Sequence, residues 1–138
     1  MKSYTNLEQS KKLAKILPIE SADMYYGYIA PYDYSDRMYD GGYDEVPYPK
    51  DFLKRNPNFS ANEYDAEFPC WSLAALFDVL PHRIDDRYGL ALGKLPTNEG
   101  WYVCYVDNDQ FLKHYVANSN FIDACYEIIL KLHEAKLI

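Results

Sequence analysis

The chain has 138 residues, is 49% hydrophobic and 25% charged, and carries a formal net charge of −7. That length predicts one domain, residues 1–138, with enough core to fold alone, and the apolar fraction excludes wholesale disorder. The negative charge, without a basic stripe, argues against direct nucleic-acid binding and against attraction to anionic lipid, and no run approaches the ~18 apolar residues needed to span a bilayer.

The start, through Lys15, has no apolar stretch fit for a signal peptide. Three cysteines (Cys70, Cys104, Cys125) are an odd number, far apart, each among apolar neighbours. They predict reduced thiols and a cytoplasmic protein.

In chain order, Thr5 with Glu8 reads as a capping box opening a helix, with Leu7, Leu13, Ala14, Ile16 and Leu17 on its apolar face and Pro18 as its stop. Residues 20–68 follow as an unusual segment with nine of the fifteen tyrosines, broken by Pro31, Gly41-Gly42, Pro47, Pro49 and Pro57. Within it, Met24 to Ile29 reads as a short strand and Asp51 to Arg55 as one helical turn. The remainder reads as an extended, tyrosine-studded loop, a length that a compact domain keeps for function or mobility. From Glu20 to Glu67 there are eleven acidic and four basic residues, whereas the rest of the chain holds ten of each. The whole excess of negative charge belongs to this segment.

Ser72 then caps a short helix in which Leu73, Leu76, Phe77 and Leu80 repeat at helical spacing; Trp71 and Leu76 have the spacing of a hydrophobic staple, and Pro81 ends the helix. After the polar patch His82 to Arg87, three apolar runs of strand length follow: Tyr88 to Leu95, Trp101 to Val106 and Phe111 to Val116. Trp101 to Val106 is apolar on both faces and belongs in the middle, and Lys113 with His114 marks the third run as more exposed. Asn120, with Asp123 three residues on, caps a last helix whose apolar face is Phe121, Cys125, Ile128, Ile129 and Leu132.

This order implies an α+β fold: a three- to four-stranded antiparallel meander with helices packed on one face, an N-terminal helix and the long acidic, Tyr-rich segment. Residues 20–68 form that segment, and residues 69–138 the helix, meander and C-terminal helix.

No catalytic, cofactor-binding or metal-ligating residue is assigned. Cys70 precedes a helix N-terminus, which favours a thiolate, but none of His82, His114 and His133 lies in a recognisable cysteine-protease motif. The plain reading is a small apolar side chain beside Trp71. Asp33, Asp36, Asp40, Asp44 and Glu45 lack the alternate spacing and closing glutamate of a calcium loop, and solvated charge explains them more simply. Gly41-Gly42 has neither the spacing nor the lysine of a phosphate loop, and Asp85 and Asp86 neutralise the patch of His82, Arg83 and Arg87. Tyrosine interleaved with carboxylate remains. It offers contact area at low entropic cost and selects a basic partner. The candidate interaction surface is Tyr32, Tyr34, Asp36, Tyr39, Asp40, Tyr43, Asp44 and Tyr48.

At Ser21-Ala22-Asp23-Met24-Tyr25, Pro69-Cys70-Trp71-Ser72-Leu73 and Asp123-Ala124-Cys125, and through Lys131-Leu132-His133-Glu134, the chain resembles a group of small uncharacterised proteins of prophages, plasmids and other mobile elements of gut bacteria. That group has no assigned activity, so the resemblance implies a setting and carries over no site residue. The meander followed by a helix near Asp123-Ala124 also resembles the HicB-like antitoxins, without their glycine-rich signature between strands. The expectation is a non-enzymatic interaction or regulatory protein of a mobile element that binds a protein partner through the acidic, Tyr-rich segment. The alternatives are a small enzyme with a carboxylate-based site and an antitoxin-like binder. No cofactor or membrane is expected; a homo-oligomer is allowed.

Overall fold

A computed structural model describes residues 2–29, 32–34, 37–39, 41–43, 46–49, 66–97 and 99–138. The expected helical turn at 51–55 lies outside them. The fold is α+β, with three α-helices and two four-stranded antiparallel sheets among the described residues. The chain divides into two compact units, one of residues 6–71 and one of residues 1–5 with 72–138.

In the first unit, helix α1 (Leu7–Leu13) is capped one residue later than the sequence suggests. Thr5 is fully buried, so the extended Asn6 takes the role: its Oδ1 accepts from the Gln9 amide at 2.8 Å, and Gln9 Oε1 accepts from the Asn6 amide at 3.0 Å. The helix also ends earlier than Pro18. Ile16 bonds back to Leu13 in a tightened last turn, and Leu13 and Leu17 are both buried.

The segment expected to be mostly loop instead contributes strands. Strand β1 (Met24–Ile29) is central. It pairs along nearly its whole length with β6 (Ala66–Cys70) on one side, and on the other with two fragments, β4 (Gly42–Tyr43) and β5 (Tyr48–Pro49). Strands β2 (Tyr32–Tyr34) and β3 (Arg37–Tyr39) pair as a separate hairpin with Tyr32 opposite Tyr39. The prolines and glycines shorten the strands without preventing pairing. Pro49 closes an edge fragment, where a missing N–H costs little, and Gly41 at φ 76° makes the turn into β4. Met24, Tyr26 and Tyr28 share one face with Phe68 and Cys70 across the ladder, and α1 packs against β6.

The second unit is the meander. Strands β7 (Arg83–Ile84), β8 (Tyr88–Lys94), β9 (Trp101–Val106) and β10 (Leu112–Asn118) pair in sequence order. The interior place expected for Trp101–Val106 and the outer place of the third run are both found. β7 is an additional strand inside the polar patch. Asp85 and Asp86, both at φ 53°, make the left-handed turn that folds it onto β8.

Helix α2 (Leu73–Val79) is capped by Ser72, and helix α3 (Phe121–Glu134) by Asn120, whose Oδ1 accepts from the Asp123 amide. Helix α3 lies on β9 and β10, and α2 on α3. Phe121 joins sheet and helices, stacking on Trp101 at 4.7 Å and meeting Phe77 at 5.3 Å. Ile122, Cys125, Ile128, Ile129 and Leu132 are fully buried with Val103 and Tyr105, and each Ile or Leu of this set contributes about 1.5–3 kcal/mol by leaving water. The N-terminal residues belong here too. Tyr4 bridges to Ser72, and Lys2 pairs with Asp123 at 2.7 Å.

Alternation along β9 sends Trp101, Val103 and Tyr105 to the helix-covered side and Tyr102, Cys104 and Val106 to the other. Cross-strand register adds Gly89, Ala91 and Gly93 from β8, and Leu112 and Ala117 from β10, to that second side. In β10 the register slips between Lys113 and Val116, where His114 sits at φ 56° as the extra residue of a bulge. Lys131 of α3 donates to the Tyr115 carbonyl at 3.1 Å.

Candidate functional site

The acidic segment was expected to offer a surface of tyrosines and carboxylates. Asp36, Asp40 and Asp44 lie outside the described residues. Tyr32, Tyr34 and Tyr39 are carried by the β2–β3 hairpin. Tyr48 is buried, only 8% exposed, opposite Tyr25 in the sheet. Tyr43 is half-buried: its ring lies 4.8 Å from that of Tyr28 and 6.0 Å, edge-on, from that of Phe68, and Lys11 Nζ stands 5.6 Å from its centroid. Cross-strand pairing of Tyr28 with Tyr43 makes this cluster, and the α1 lysine covers one side of it. Tyr48 therefore packs within the sheet and Tyr43 joins a ring cluster at its edge, while the strands β2 and β3 place Tyr32, Tyr34 and Tyr39 on one hairpin.

All three cysteines are buried and none forms a disulfide. Burial pushes the Cys125 thiol up to about 12 and raises that of Cys104, the opposite of what a nucleophile needs. Burial also pushes the Tyr105 phenol up to about 12, and its hydroxyl donates to the Pro81 carbonyl at 2.8 Å.

In the meander unit, charge gathers where β7 turns into β8 and β9 into β10. Arg87 reaches Asp107 Oδ2 through Nε at 3.0 Å and Nη2 at 2.7 Å. Asp107 Oδ1 accepts from the amides of Asp109 and Phe111, both at 2.9 Å. Lys113 pairs with Asp85 at 2.9 Å, which raises the lysine's pKa. Both cations flank the Tyr88 ring, at 5.4 Å for Arg87 and 5.2 Å for Lys113. The result is one chain of contacts, Asp107–Arg87–Tyr88–Lys113–Asp85, across the end of the sheet. A cleft of about 220 Å³ adjoins it, lined by Arg83, Asp86, Arg87, Asp107, Asn108 and Asp109. Charges of both signs meet in it, and its two fixed groups, Arg87 and Asp107, satisfy each other. The arrangement suits turn stabilisation and holds no poised acid–base pair.

Burial pushes the Asp107 carboxyl up, but the Phe111 amide, the Arg87 side chain and the Asp109 amide together outweigh it and hold the carboxyl below its usual range. A carboxyl depressed in the folded state adds stability above its unfolded pKa and loses it as pH falls through the folded one. In urea titrations, Asp107→Asn is expected to lower the midpoint clearly at pH 7, because Arg87 loses its partner. The gap to the parent chain should hold down to about pH 4 and close below it.

A second cleft of about 270 Å³ is lined by Lys94, Glu99, Gly100, Trp101 and Ser119. Phe121 stacks on the Trp101 ring there, and Lys94 Nζ lies 5.3 Å from its centroid. No group of three His, Cys, Asp or Glu fit to hold a metal occurs among the described residues, and no helix among them is long and apolar enough to cross a membrane. Sequence reasoning missed the Arg87–Asp107 pair, although Asp107 followed by Asn108-Asp109 was legible as a turn former. Comparisons with family models, with curated proteins and with solved structures found no match to this chain.

Proposed function

We propose that the protein is a non-enzymatic interaction or regulatory protein that captures a basic protein partner through residues 20–68. One observation carries this reading: those residues hold the entire net charge of −7, set among nine tyrosines, while the rest of the chain is neutral. Such a field speeds the approach of a cationic surface and rejects anionic ones, and phenol rings supply contact area once the partner docks. The hairpin with Tyr32, Tyr34 and Tyr39 is the docking element, and Asp36 and Asp40 adjoin its strands in sequence. In the setting that the resemblance implies, the partner is a host or element-encoded protein, met in the cytoplasm.

The test is affinity capture from a host lysate with the intact chain and with two variants, one with Tyr32, Tyr34 and Tyr39 changed to Ser and one with Asp36, Asp40 and Asp44 changed to Asn. Tyr43 and Tyr48 stay untouched because they pack in the sheet. The expected result is a basic protein recovered by the parent, lost from both variants and released by high salt. Identical recoveries from all three would remove the segment as a docking face.

A further inference from the structure

Lys11 has an unusual neighbour for a cation in an acidic chain. It stands in the last turn of α1, where the helix dipole favours positive charge, and its side chain is exposed. Among the described residues, no carboxylate lies within ion-pair distance of its ammonium. The ammonium rests instead 5.6 Å from the centroid of the Tyr43 ring, inside the ~6 Å over which a ring face attracts a cation.

That ring has company. Tyr28 lies opposite Tyr43 in the ladder of β1 with β4, with centroids 4.8 Å apart and planes inclined by 43°. Phe68 of β6 meets Tyr43 at 6.0 Å with its plane turned by 85°. Tyr28, Tyr43 and Phe68 are all half-buried, and α1 packs against the strand that carries Phe68. Rings set at an angle to one another leave part of a face uncovered, and Lys11 already uses one.

We infer that this cluster is a subsite for an alkylammonium group, held by Lys11 in the free protein and by a lysine of the partner in the complex. It rests on the reading above that the partner is basic. The exchange replaces one ammonium by another, so the charge over the rings is unchanged. Lys11 loses little on leaving, because its head group is exposed and its stem is flexible. The surplus of carboxylates in residues 20–68 concentrates incoming cations nearby, which biases the exchange toward the partner.

Nα-acetyl-lysine methylamide, titrated into the full chain at constant ionic strength, is the probe, and the NMR signals of the Tyr28 and Tyr43 rings are the readout. The expected result is a saturable shift with a Kd of about 10–100 mM, weak as befits one cation on half-open rings. The norleucine analogue, which has the stem without the charge, should shift neither ring. Lys11→Gln removes the resident ammonium and should tighten binding about threefold. Tyr43→Leu keeps apolar contact with Tyr28 and Phe68 but should weaken binding at least about fivefold, whereas Tyr43→Phe should bind like the parent. Circular dichroism melts establish that each variant is folded. Equal shifts from the norleucine analogue would make the cluster a plain apolar patch. Undiminished binding by folded Tyr43→Leu would assign the cation to the carboxylates. Either result overturns the inference, as does a Lys11→Gln variant that binds no more tightly than the parent. A basic protein recovered from lysate without any response to the probe removes this subsite alone, and a response to the probe without such a protein removes the docking hairpin alone.

Discussion

Trp71→Ala is expected to destabilise the protein by about 3–5 kcal/mol, the range for emptying a fully buried tryptophan site. The side chain is 0% exposed, and its indole Nε1 donates at 2.9 Å to Ser21 Oγ, which itself donates to the Pro18 carbonyl at 2.6 Å. This relay fixes the end of β6 to the short 3₁₀ turn Ile19–Ser21 that leads into β1. Losing the ring opens a cavity at the end of β6 and strands an acceptor. Trp71→Phe keeps most of the apolar volume and removes the donor, so its cost should be nearer about 1–2 kcal/mol. Urea titration followed by far-ultraviolet circular dichroism measures both. A Phe variant as damaged as the Ala variant would place the energy in the relay, and an undamaged Ala variant would refute the packing account. Against a typical total of about 5–15 kcal/mol, the Ala variant approaches the limit of stable folding.

Gly100→Ala should cost about 2–4 kcal/mol, far more than one methyl group ordinarily does. Gly100 sits at φ +159°, and its carbonyl accepts from the Leu95 amide at 2.9 Å to close the loop between β8 and β9. A Cβ there would stand 2.5 Å from the Asn118 carbonyl oxygen and 3.0 Å from Ser119 Cα. Both are backbone atoms, at the end of β10 and just before the α3 cap, so no side chain can swing aside. Either β9 must slide or the entry to α3 must move. Gly89→Ala is the control: its nearest neighbour would be 4.0 Å away, and it should change the midpoint little. The comparison separates the conformational demand at Gly100 from the general effect of adding Cβ to a strand glycine.

What the sequence disclosed followed from the range over which its signals act. Helices α2 and α3 were legible because caps and 3.6-residue periodicity are local, and Ser72 and Asn120 do cap them. The meander was legible because strands of six or seven residues, separated by turn formers, leave room for a pattern. Strands β2 to β5 have two or three residues each, too few for any alternation to show. Strand β6 reads as the approach to a helix and meets β1 some forty residues away, a pairing that only tertiary contacts specify. The capping box slipped by one residue for a similar reason: burial of Thr5 depends on the fold, and Asn6 with Gln9 forms as good a box. The candidate surface was legible as composition alone. Tyrosine suits a core and an interface equally, so nothing local in the sequence marked Tyr48 as a buried position.

The outer strand β10 of the meander is a poor template for further strand pairing. Its hydrogen-bonding rim is broken by the bulge at His114, and a helix lysine already occupies the Tyr115 carbonyl. An incoming strand would find neither a straight template nor a full row of acceptors. Open-ended polymers, whether swapped chains or amyloid-like ribbons, therefore have no starting point on that rim, and concentrated protein should remain clear where a flat, unguarded border would seed precipitation.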